Sequence, residues 1–351
     1  MKNILLAIND LKGNGAERVV ISLAEQFKKM DHRVTILCFK NKVELPVDES
    51  LRIIFFKISW WRWIPRNIRG KLVSPFLDFF IRRKVGTPDL ILSNLLPVDR
   101  IMSESKLNNV FLVVHNTMSH EYEVIDGRLP DSEIKKIYQK KPVVCVSKGA
   151  LDDFNGLFPG HKKTSYIYNP INIDFIKKSA DSPVEVPYRD YIIHVGKFSK
   201  AKRHDFLIQA YFKSDKKRAL VLVGKGSEES KCMELVRNLG LEDRVFFAGF
   251  HSNPYPLIKG ADLMVLTSDY EGLPTVLLEA LALDKPVVSS NCKSGPSEIL
   301  PKRNLYENAD MMKLVEYLNS RDYQQFRTKI SDKFMPEAVA NEYLKLINPT
   351  K

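Results

Sequence analysis

The stretch LMVLTSDYEGLPTVLLEALALDKPVVSS, residues 263–290, contains one complete strand–loop–helix–strand pattern. Its two ends, Leu263–Leu266 and Pro286–Ser290, are short apolar runs typical of buried strands. The segment TVLLEALAL between them has the periodicity of a helix. Strand and helix alternating in this way indicate a parallel sheet that is covered on both faces. Two glutamates, Glu271 and Glu279, interrupt this apolar unit, and neither a buried nor a solvated helix explains both.

The same alternation continues along the rest of the chain. Further helices are predicted in AERVVISLAEQFKKM, FLIQAYF and SKCMELVRNLG, and a last amphipathic helix starts at Pro336. A segment rich in Pro, Asp and Ser, residues 167–190, separates two series of strands and is the predicted linker. We therefore predict an α/β protein with two doubly wound, Rossmann-like domains that bind ligand at the carboxyl ends of their strands. The other predicted strands are Asn3–Ile8, Val34–Phe39, Leu90–Leu92, Val110–Val114, Val143–Val146, Tyr191–Val195, Ala219–Val223 and Val245–Ala248.

The composition of the 351 residues limits the class of protein. There is no apolar run of about twenty residues that could cross a membrane. The start, MKNILLAIND, predicts a first buried strand rather than a signal peptide. Four dispersed cysteines without a C-x-x-C pair indicate reduced, buried thiols of a cytoplasmic protein rather than a metal or disulfide site. The net charge of +12 predicts a polyanionic partner, although the sequence has neither zinc-finger spacing nor an RNA-binding aromatic motif.

The loop that opens the helix of the first stretch has the features of an anion site. Pro274 suits the first helical position, because its missing N–H is no loss there. The amides of Thr275 and Val276 are then unsatisfied at the positive end of the helix, which favours a diphosphate. Glu271 ahead of this end and Glu279 inside the helix bracket the site, and each can accept hydrogen bonds from hydroxyl groups. A nucleotide-sugar has this order of sugar, diphosphate and ribose, whereas a capped surface helix with two solvated acids is the alternative.

A second loop adds positive charge. In IIHVGKFSKAKRHDFLIQAY a strand ends at Gly196, and Lys197 and Lys202 follow before the next helix. A leaving diphosphate must be neutralised by a bound metal or by fixed cations. The sequence has no cluster of metal ligands, so the two lysines and the helix terminus are the predicted substitute for a metal. The alternative is a solvated basic loop.

Two weaker signals lie in the first half of the chain. In NDLKGNGAERVVISLA, Gly13 and Gly15 stand between a strand and a helix, where backbone can approach a ligand closely. Arg18 occupies the last glycine position of the dinucleotide motif G-x-G-x-x-G, so this motif is incomplete. His115 ends a strand in FLVVHNTMSH on the side of the predicted cleft, although a lone histidine there is more often structural.

Together these residues resemble family 4 of the retaining glycosyltransferases, whose GT-B fold has two Rossmann-like domains facing across a cleft. The resemblance is nearly continuous from VGKFSKAKRHDFLIQAY to the end of NCKSGPSEIL. The first half contributes GNGAERVVISLAEQF, HNT, VSKGALDDF and IYNPINID, and only residues 43–81 look private to this chain. The resemblance implies an acceptor-binding domain at 1–170, a nucleotide-sugar-binding domain at 171–335, and a C-terminal helix at 336–351 that returns to the first domain.

The resemblance also implies roles for single residues of the second half. Glu279 would bind the ribose hydroxyls, Glu271 the donor sugar and Lys202 the diphosphate. Lys197 stands where the family usually has arginine, which keeps the charge but loses the bidentate geometry. The other implied donor contacts are the backbone of Gly196, Gly272, Leu273, Thr275 and Val276, and the surroundings of the base at Phe250 and His251.

The resemblance further implies how the reaction runs. Gly13 and Gly15 would approach the diphosphate, and His115 the donor sugar, so that Glu271, Lys202 and His115 form the predicted catalytic set. The family implies retention of anomeric configuration through a front-face, oxocarbenium-like mechanism in which the donor phosphate helps to deprotonate the acceptor. This fits the sequence, because no second carboxylate is placed as a nucleophile. The expected donor is a UDP-sugar, with a GDP-sugar such as GDP-mannose as the alternative, and neither cofactor nor metal is expected.

The acceptor side is predicted from the segment SWWRWIPRNIRGKL, which contains all three tryptophans. From Leu51 to Lys84 there are nine Lys and Arg residues against a single acid, Asp78. Aromatic residues beside arginines suit the headgroup region of an anionic bilayer, whereas a core-packed helix with solvated basic residues is the alternative. We therefore predict a peripheral protein of the inner membrane face that takes a lipid-linked, lipopolysaccharide or capsular glycan as acceptor. The predicted membrane contacts are Trp60, Trp61, Trp63, Arg62, Arg66 and Arg69.

Two functions of a different class remain as alternatives. A non-catalytic nucleotide-sugar-binding or scaffold protein would be free to lose Glu271, Glu279 and Lys202, which are all intact. A nucleic-acid-binding protein would use the positive charge but would leave the two glutamates without a purpose. The sequence therefore favours an enzyme without a nucleic-acid partner.

Overall fold

The structure, a computed structural model, describes residues 1–13, 15–57, 63–120, 131–185 and 188–347. The chain forms two compact units. The first comprises Met1–Ile171 together with Asp332–Lys351, and the second comprises Asn172–Ser331. The predicted functional division into an acceptor domain and a donor domain stays a prediction.

The first unit is built on a parallel sheet of seven strands. The strands are β1 (Asn3–Ile8), β2 (Arg33–Cys38), β3 (Arg52–Phe55), β4 (Leu90–Asn94), β5 (Val110–Val114), β6 (Val143–Cys145) and β7 (Thr164–Tyr166). The helices between them are α1 (Gly15–Lys29), α2 (Arg66–Lys84), α3 (Leu96–Met102), α4 (Asp131–Tyr138) and α5 (Lys148–Leu157). The sheet order is β3-β2-β1-β4-β5-β6-β7, so the order reverses between β1 and β4.

The second unit is built on a parallel sheet of six strands. The strands are β8 (Tyr191–Val195), β9 (Ala219–Val223), β10 (Val245–Gly249), β11 (Leu263–Leu266), β12 (Val287–Ser290) and β13 (Leu305–Tyr306). The helices are α6 (Ile173–Ser179), α7 (His204–Lys213), α8 (Glu229–Asn238), α9 (Tyr255–Gly260), α10 (Thr275–Ala282), α11 (Pro296–Ile299) and α12 (Met311–Leu318). The sheet order is β10-β9-β8-β11-β12-β13, and it reverses between β8 and β11.

The chain then returns to the first unit in helix α13 (Pro336–Lys345). This helix packs against α1 and buries Val339, Ala340 and Tyr343. Just before it, the carbonyl oxygen of Phe334 accepts a hydrogen bond of 2.9 Å from the amide of Ile171. Full burial of a side chain of the size of Val339 contributes about 1.5–3 kcal/mol to the stability of the fold.

The central strands are almost entirely apolar and buried, as expected where helices cover both faces of a parallel sheet. The predicted fold class is therefore confirmed. Within the predicted linker the structure places a helix, α6, whose Asn172 side chain accepts a hydrogen bond from the Phe175 amide at 3.1 Å. The boundary between the two units, Ile171/Asn172, falls inside this segment as predicted, and the asparagine cap stabilises a helix directly after it, among residues that otherwise interrupt helices. All four cysteines are buried and unpaired with one another, which confirms their prediction as buried thiols.

No helix among the described residues is both long and apolar enough to span a membrane.

Candidate active site

The carboxyl ends of the six strands of the second unit meet at one edge of its sheet. Strands β8 and β11 are neighbours at the centre, where the strand order reverses. Such a reversal leaves a crevice between two loops that leave the sheet in opposite directions, and ligands of doubly wound folds bind there. The loop after β8 contains Lys202, and the loop after β11 contains Glu271. Two residues that lie far apart in the sequence are thus placed next to each other.

Lys202 and Glu271 form an ion pair across this crevice. The Nζ atom of Lys202 lies 2.5 Å from the Oε1 atom of Glu271. The hydroxyl of Ser268 donates a second hydrogen bond to the same oxygen, at 2.6 Å. The Glu271 side chain is buried, whereas Lys202 remains about one-fifth exposed, at 22%. Because Oε1 carries both hydrogen bonds, the carboxylate is fixed in orientation.

Further contacts fix the loop after β8 against the loop after β11. The hydroxyl of Thr267 donates to the carbonyl oxygen of Lys202 at 2.8 Å, and the amide of Asp269 donates to the carbonyl oxygen of Ala201 at 2.8 Å. Arg203 also pairs with Asp269, with Nη1 3.1 Å from Oδ1. These contacts fix the backbone on either side of the pair, so little conformational freedom is left to lose when a ligand binds.

Helix α10 begins at Thr275, one residue later than predicted, and Pro274 is its N-cap residue. Within the part of the chain that the structure describes, no side chain caps this end of the helix, so its first amides keep their capacity to bind an anion. The predicted position of Pro274 inside the helix is wrong by one residue. Its ψ of 92° places it outside the helical region. Thr275 and Val276 are both partly exposed.

The loop after β12 contacts the turn Gly272–Pro274 and fixes its position. The hydroxyl of Ser294 donates to the carbonyl oxygen of Gly272 at 2.8 Å. Gly295 has a φ of 92°, and a Cβ atom there would come within 2.4 Å of the Pro274 Cδ atom. Glycine is therefore required at this position, because any other residue would displace the turn that leads into α10.

Glu279 lies in α10, one turn beyond its first residues, and its side chain is buried. A carboxylate that is removed from water needs hydrogen-bond donors or a cation to offset the lost hydration. Its burial distinguishes it from an ordinary solvated acid of a surface helix. The alternative of two solvated acids is thus wrong, because Glu271 is buried as well.

The basic and aromatic residues predicted at the donor site lie along the same sheet edge. Lys197 follows β8 and is exposed. Gly224, after β9, has a φ of 147°, and a Cβ atom there would come within 2.0 Å of the Gly196 carbonyl oxygen. Phe250 follows β10 and is 52% exposed. His251 bonds through Nε2 to the carbonyl oxygen of Ala248 at 3.1 Å. Strand β10 is two strands away from β8, and neighbouring strands are about 4.8 Å apart. Phe250 and His251 therefore lie roughly 10 Å from the end of β8.

A buried imidazole lies beneath the loop of Lys202. The Nδ1 atom of His194 faces the carbonyl oxygen of Val265 at 2.9 Å, so this nitrogen carries the proton. His204 packs against the His194 ring at 4.4 Å and stacks on Phe198 at 4.0 Å. Burial, and next the charge of Lys202, lowers the pKa of His194 to about 3. The ring is therefore neutral at physiological pH and adds no charge to the site.

The first unit places its predicted site residues at its own point of strand reversal. The Gly13 amide donates to the Glu17 carboxylate at 2.5 Å, and Gly15 is the first residue of α1. Glu17 is buried. The Nε2 atom of His115 lies 2.9 Å from Oδ1 of Asn94, whose amide nitrogen donates to main-chain carbonyls. Burial lowers the pKa of His115 to about 4, so this ring is neutral too. The roles of Gly13, Gly15 and His115 stay predictions.

The predicted membrane contacts divide into three groups. Trp63 and Arg66 are exposed, with Trp63 at 90%. Arg69 is half-buried, and its guanidinium donates to the carbonyl oxygen of Ile64 at 2.8 Å. Trp60, Trp61 and Arg62 lie outside the described residues.

Several residues of the site were missed by the sequence analysis. They share one property, which is that each contacts or shapes the loop after β11 or β12. The detectable signal was a pair of small polar motifs, SS at the end of β12 and SGP in the loop that follows it, at the sheet edge to which the conspicuous DYEGLP motif also belongs. These residues are Ser268, Ser290, Ser294, Gly295, Arg203 and Asp269.

Among the residues that the structure describes, no three His, Cys, Asp or Glu side chains form a group that could hold a metal ion.

Comparison with known proteins agrees with this geometry in both units. Residues 13–175 match the family model described as Glycosyltransferase Family 4, and residues 176–321 match the model described as Glycosyl transferases group 1. The chain belongs to glycosyltransferase family 4. The two models together span nearly all of both sheets of this glycosyltransferase.

Individual relatives are consistent with this assignment. An uncharacterised glycosyltransferase of Methanocaldococcus jannaschii is 33% identical over 64% of this chain and 61% of its own length. The N-acetylgalactosamine-N,N'-diacetylbacillosaminyl-diphospho-undecaprenol 4-alpha-N-acetylgalactosaminyltransferase of Campylobacter jejuni is 27% identical over 97% of this chain and 94% of its own. The crystal structure of Anabaena HepE in complex with UDP and glucose superposes with a TM-score of 0.74, covering 99% of this chain and 97% of that one, at 19% identity. The predicted GT-B fold is thereby confirmed.

Proposed function

We propose that this glycosyltransferase moves a sugar from a nucleotide-sugar, with UDP favoured, to a glycan acceptor, and that it retains the anomeric configuration. The observation that carries the proposal is the Lys202–Glu271 pair beside the N-terminus of α10, which no described side chain caps. An ammonium group and the amides of a helix N-terminus suit a diphosphate, and a buried carboxylate suits sugar hydroxyls. A nucleotide-sugar is the metabolite that joins these two groups by one bond.

The donor would lie along the carboxyl edge of the second sheet. Its diphosphate would contact Lys202, Lys197 and the amides of Thr275 and Val276. Glu271 would then accept hydrogen bonds from the sugar, and Glu279 from the ribose. The base would lie towards Phe250, whose exposed ring offers a surface for stacking. The fixed loops matter here, because a site held in place needs less reorganisation as charge develops.

In the reaction the bond between the anomeric carbon and the diphosphate oxygen breaks, and a bond to the acceptor hydroxyl oxygen forms on the same face. The acceptor proton passes to the leaving phosphate oxygen. Lys202 and the helix amides stabilise the negative charge that grows on this leaving group. Glu271 is held by two donors on one oxygen, so it is suited to orient the sugar rather than to attack it.

The acceptor proposed is a lipid-linked, lipopolysaccharide or capsular glycan at the inner face of the membrane. The name of the Campylobacter jejuni relative specifies a diphospho-undecaprenol-linked acceptor. Anabaena HepE was crystallised with UDP and glucose, which favours UDP over GDP in the proposal. The basic surface around Arg66 is consistent with an acceptor that carries phosphate groups.

The donor can be identified with a panel of UDP- and GDP-sugars, scored first by the shift of the unfolding temperature and then by slow donor hydrolysis. We expect one UDP-sugar to stabilise the protein, and Glu279→Ala to abolish the shift. Glu242→Ala removes an exposed glutamate of the same unit and serves as the matched control. Stabilisation by a GDP-sugar alone would replace UDP by GDP, and no response to any nucleotide-sugar would refute the proposed function.

A further inference from the structure

Arg203, the residue that follows Lys202, has an unusual backbone conformation. Its φ of 50° and ψ of 46° lie in the left-handed helical region. It separates a short 3₁₀ helix, Lys200–Lys202, from helix α7. In the left-handed region the Cβ atom of an L-residue approaches the backbone closely, so glycine is the usual occupant. An arginine there requires contacts that offset the strain.

This conformation determines where the Lys202 side chain lies. With right-handed helical angles at Arg203, the 3₁₀ helix would run on into α7 and carry Lys202 onto the surface of one continuous helix. The left-handed residue instead turns the chain, and the Lys202 ammonium lies against Glu271 across the crevice. Thr267 supports this turn, because its hydroxyl donates to the carbonyl oxygen of Lys202 at 2.8 Å and lies 3.2 Å from that of Arg203. The position of Lys202 therefore depends on the backbone of the residue after it.

The guanidinium of Arg203 makes the contacts that hold this conformation. Its Nη1 atom lies 3.1 Å and 3.4 Å from the two carboxylate oxygens of Asp269. Its Nε atom lies 3.3 Å from Oδ1 of Asp205, and its central carbon lies 5.3 Å from the centre of the Phe206 ring. Asp205 and Phe206 belong to the first turn of α7, whereas Asp269 belongs to the loop after β11. One side chain thus connects the start of α7 to the loop that contains Glu271.

The Arg203–Asp269 pair joins the same two loops as the Lys202–Glu271 pair. In the sequence the two cations are adjacent, and the two acids are two positions apart. The side chains of Arg203 and Asp269 are 31% and 36% exposed. Ion pairs of this exposure contribute little to the free energy of unfolding. An effect on the position of Lys202 therefore accounts for this pair better than an effect on the stability of the unit.

We propose that Arg203 is a positioning residue: its ion pair with Asp269 keeps residue 203 in the left-handed conformation and thereby fixes Lys202 beside the leaving diphosphate. The proposal deepens the proposed function and rests on it, since Lys202 acts on a diphosphate only in that reaction. Arg203 acts through Lys202 and makes no contact of its own with the donor. Glu271 keeps its hydrogen bond from Ser268 when the Arg203–Asp269 pair is broken, so the loss falls on Lys202.

The test compares two replacements of Arg203 that both remove the ion pair. Glycine adopts left-handed angles without strain, so Arg203→Gly should keep kcat within about threefold of the wild type. Alanine does not, so Arg203→Ala should relax to a negative φ and lower kcat by roughly tenfold to a hundredfold, with a smaller change in KM. Steady-state hydrolysis of the nucleotide-sugar that the donor panel selects measures both constants. A role in stability alone would give the two variants the same kcat.

Asp269→Asn tests the same pair from its other side. It leaves the Arg203 side chain in place but removes the carboxylate, so kcat should fall as it does in Arg203→Ala. In the Arg203→Gly background, Asp269→Asn should cause no further loss, because glycine needs no partner to keep the turn. The matched control is Lys216→Ala, which should have the kcat of the wild type. Lys216 is another non-glycine residue of this unit with a positive φ, 53°, but it lies beyond the opposite end of α7.

Thermal unfolding shows whether each variant is folded, and crystal structures of the folded variants give the φ of residue 203. Equal kcat values in Arg203→Gly and Arg203→Ala, or a wild-type kcat in folded Asp269→Asn, would overturn the proposal. If Arg203→Ala does not fold, Asp269→Asn alone and in the Arg203→Gly background decides between the same outcomes. A wild-type protein that turns over no nucleotide-sugar would refute the proposed function and this proposal together. Turnover that none of these variants changes would refute the positioning role alone.

Discussion

The points of strand reversal in the two units share a topology but differ in charge. In the second unit Lys202 and Glu271 lie at the reversal, and no side chain among the described residues caps the start of the nearby helix α10. In the first unit the nearby helix α1 starts beside buried Glu17, which already accepts a hydrogen bond from the Gly13 amide. A helix N-terminus that holds a carboxylate is a poorer site for a second anion. The crevice of the second unit is thus suited to bind an anionic ligand, whereas the crevice of the first unit already contains the carboxylate of Glu17.

The two crevices nevertheless have one feature in common, which is a neutral imidazole. Burial is the first cause in both cases, and it lowers the pKa of His115 to about 4 and that of His194 to about 3. The charge of Lys202 adds to the effect only at His194. The difference between the crevices therefore comes from the lysine and the acids rather than from the histidines.

Removal of Lys202 or Glu271 is the most direct test of this difference between the two units. We expect Lys202→Ala and Glu271→Ala each to lower turnover by about a hundredfold to a thousandfold, because the first removes a cation that stabilises the leaving diphosphate and the second removes a carboxylate that orients the sugar. Steady-state kinetics with the identified donor measures this loss, and thermal unfolding should show an intact fold. Lys231→Ala removes the lysine of a surface ion pair with Glu228 in the same unit and is the matched control. Near-normal rates in both active-site variants would refute their assigned roles.

The opposite change in the first unit should affect stability instead. Glu17→Ala removes a buried carboxylate that accepts from a backbone amide, so the free energy of unfolding should fall by roughly 1.5–3 kcal/mol. Urea denaturation measures this change, and the stabilisation by the donor should be preserved. If Glu17→Ala has normal stability but no longer binds the donor, the diphosphate lies at the crevice of the first unit. The assignment of the anion site to the second unit would then be wrong.

Much of the fold could be predicted from the sequence, because the central parallel strands are short apolar runs bounded by turn residues. The missed strands were β3, β7 and β13, which lie at sheet edges. Most of their residues are exposed or half-buried, so they lack the continuous apolar pattern of the central strands. Helix α6 was missed for a related reason, since its capping asparagine stands among residues that ordinarily interrupt helices.

The candidate site was predictable only in part. Glu271, Glu279 and Lys202 could be found because charged residues are conspicuous beside buried strands. Ser268 and Ser294 could not be found in this way, since a serine is common in any loop and its role depends on the neighbour that the fold supplies.

The pH dependence of stability tests the neutral imidazole beneath Lys202. His194 is protonated in the unfolded chain below a pKa of about 6.5 but resists protonation in the folded state. The unfolded state therefore binds more protons as the pH falls, and stability is lost from about pH 6.5 downwards. Between pH 7 and pH 5.5 this group should lower the free energy of unfolding by about 1.3 kcal/mol. His194→Asn should reduce the decline by that amount in urea titrations, and an unchanged decline would show that the ring is not kept neutral.

The smallest expected effect concerns the support of the charged crevice rather than its charges. Ser268 donates to the oxygen of Glu271 that also binds Lys202, so Ser268→Ala frees the carboxylate to rotate without removing the ion pair. A net hydrogen bond of about 0.5–1.5 kcal/mol predicts a loss of turnover of roughly threefold to tenfold. The loss should appear in kcat more than in KM, because a misaligned carboxylate still binds the sugar but orients it less well. Ser230→Ala changes an exposed serine of α8 and should have no effect. Full activity in Ser268→Ala would mean that Lys202 alone fixes the orientation of Glu271. The hydroxyl of Ser268 would then have no role in the crevice of the second unit.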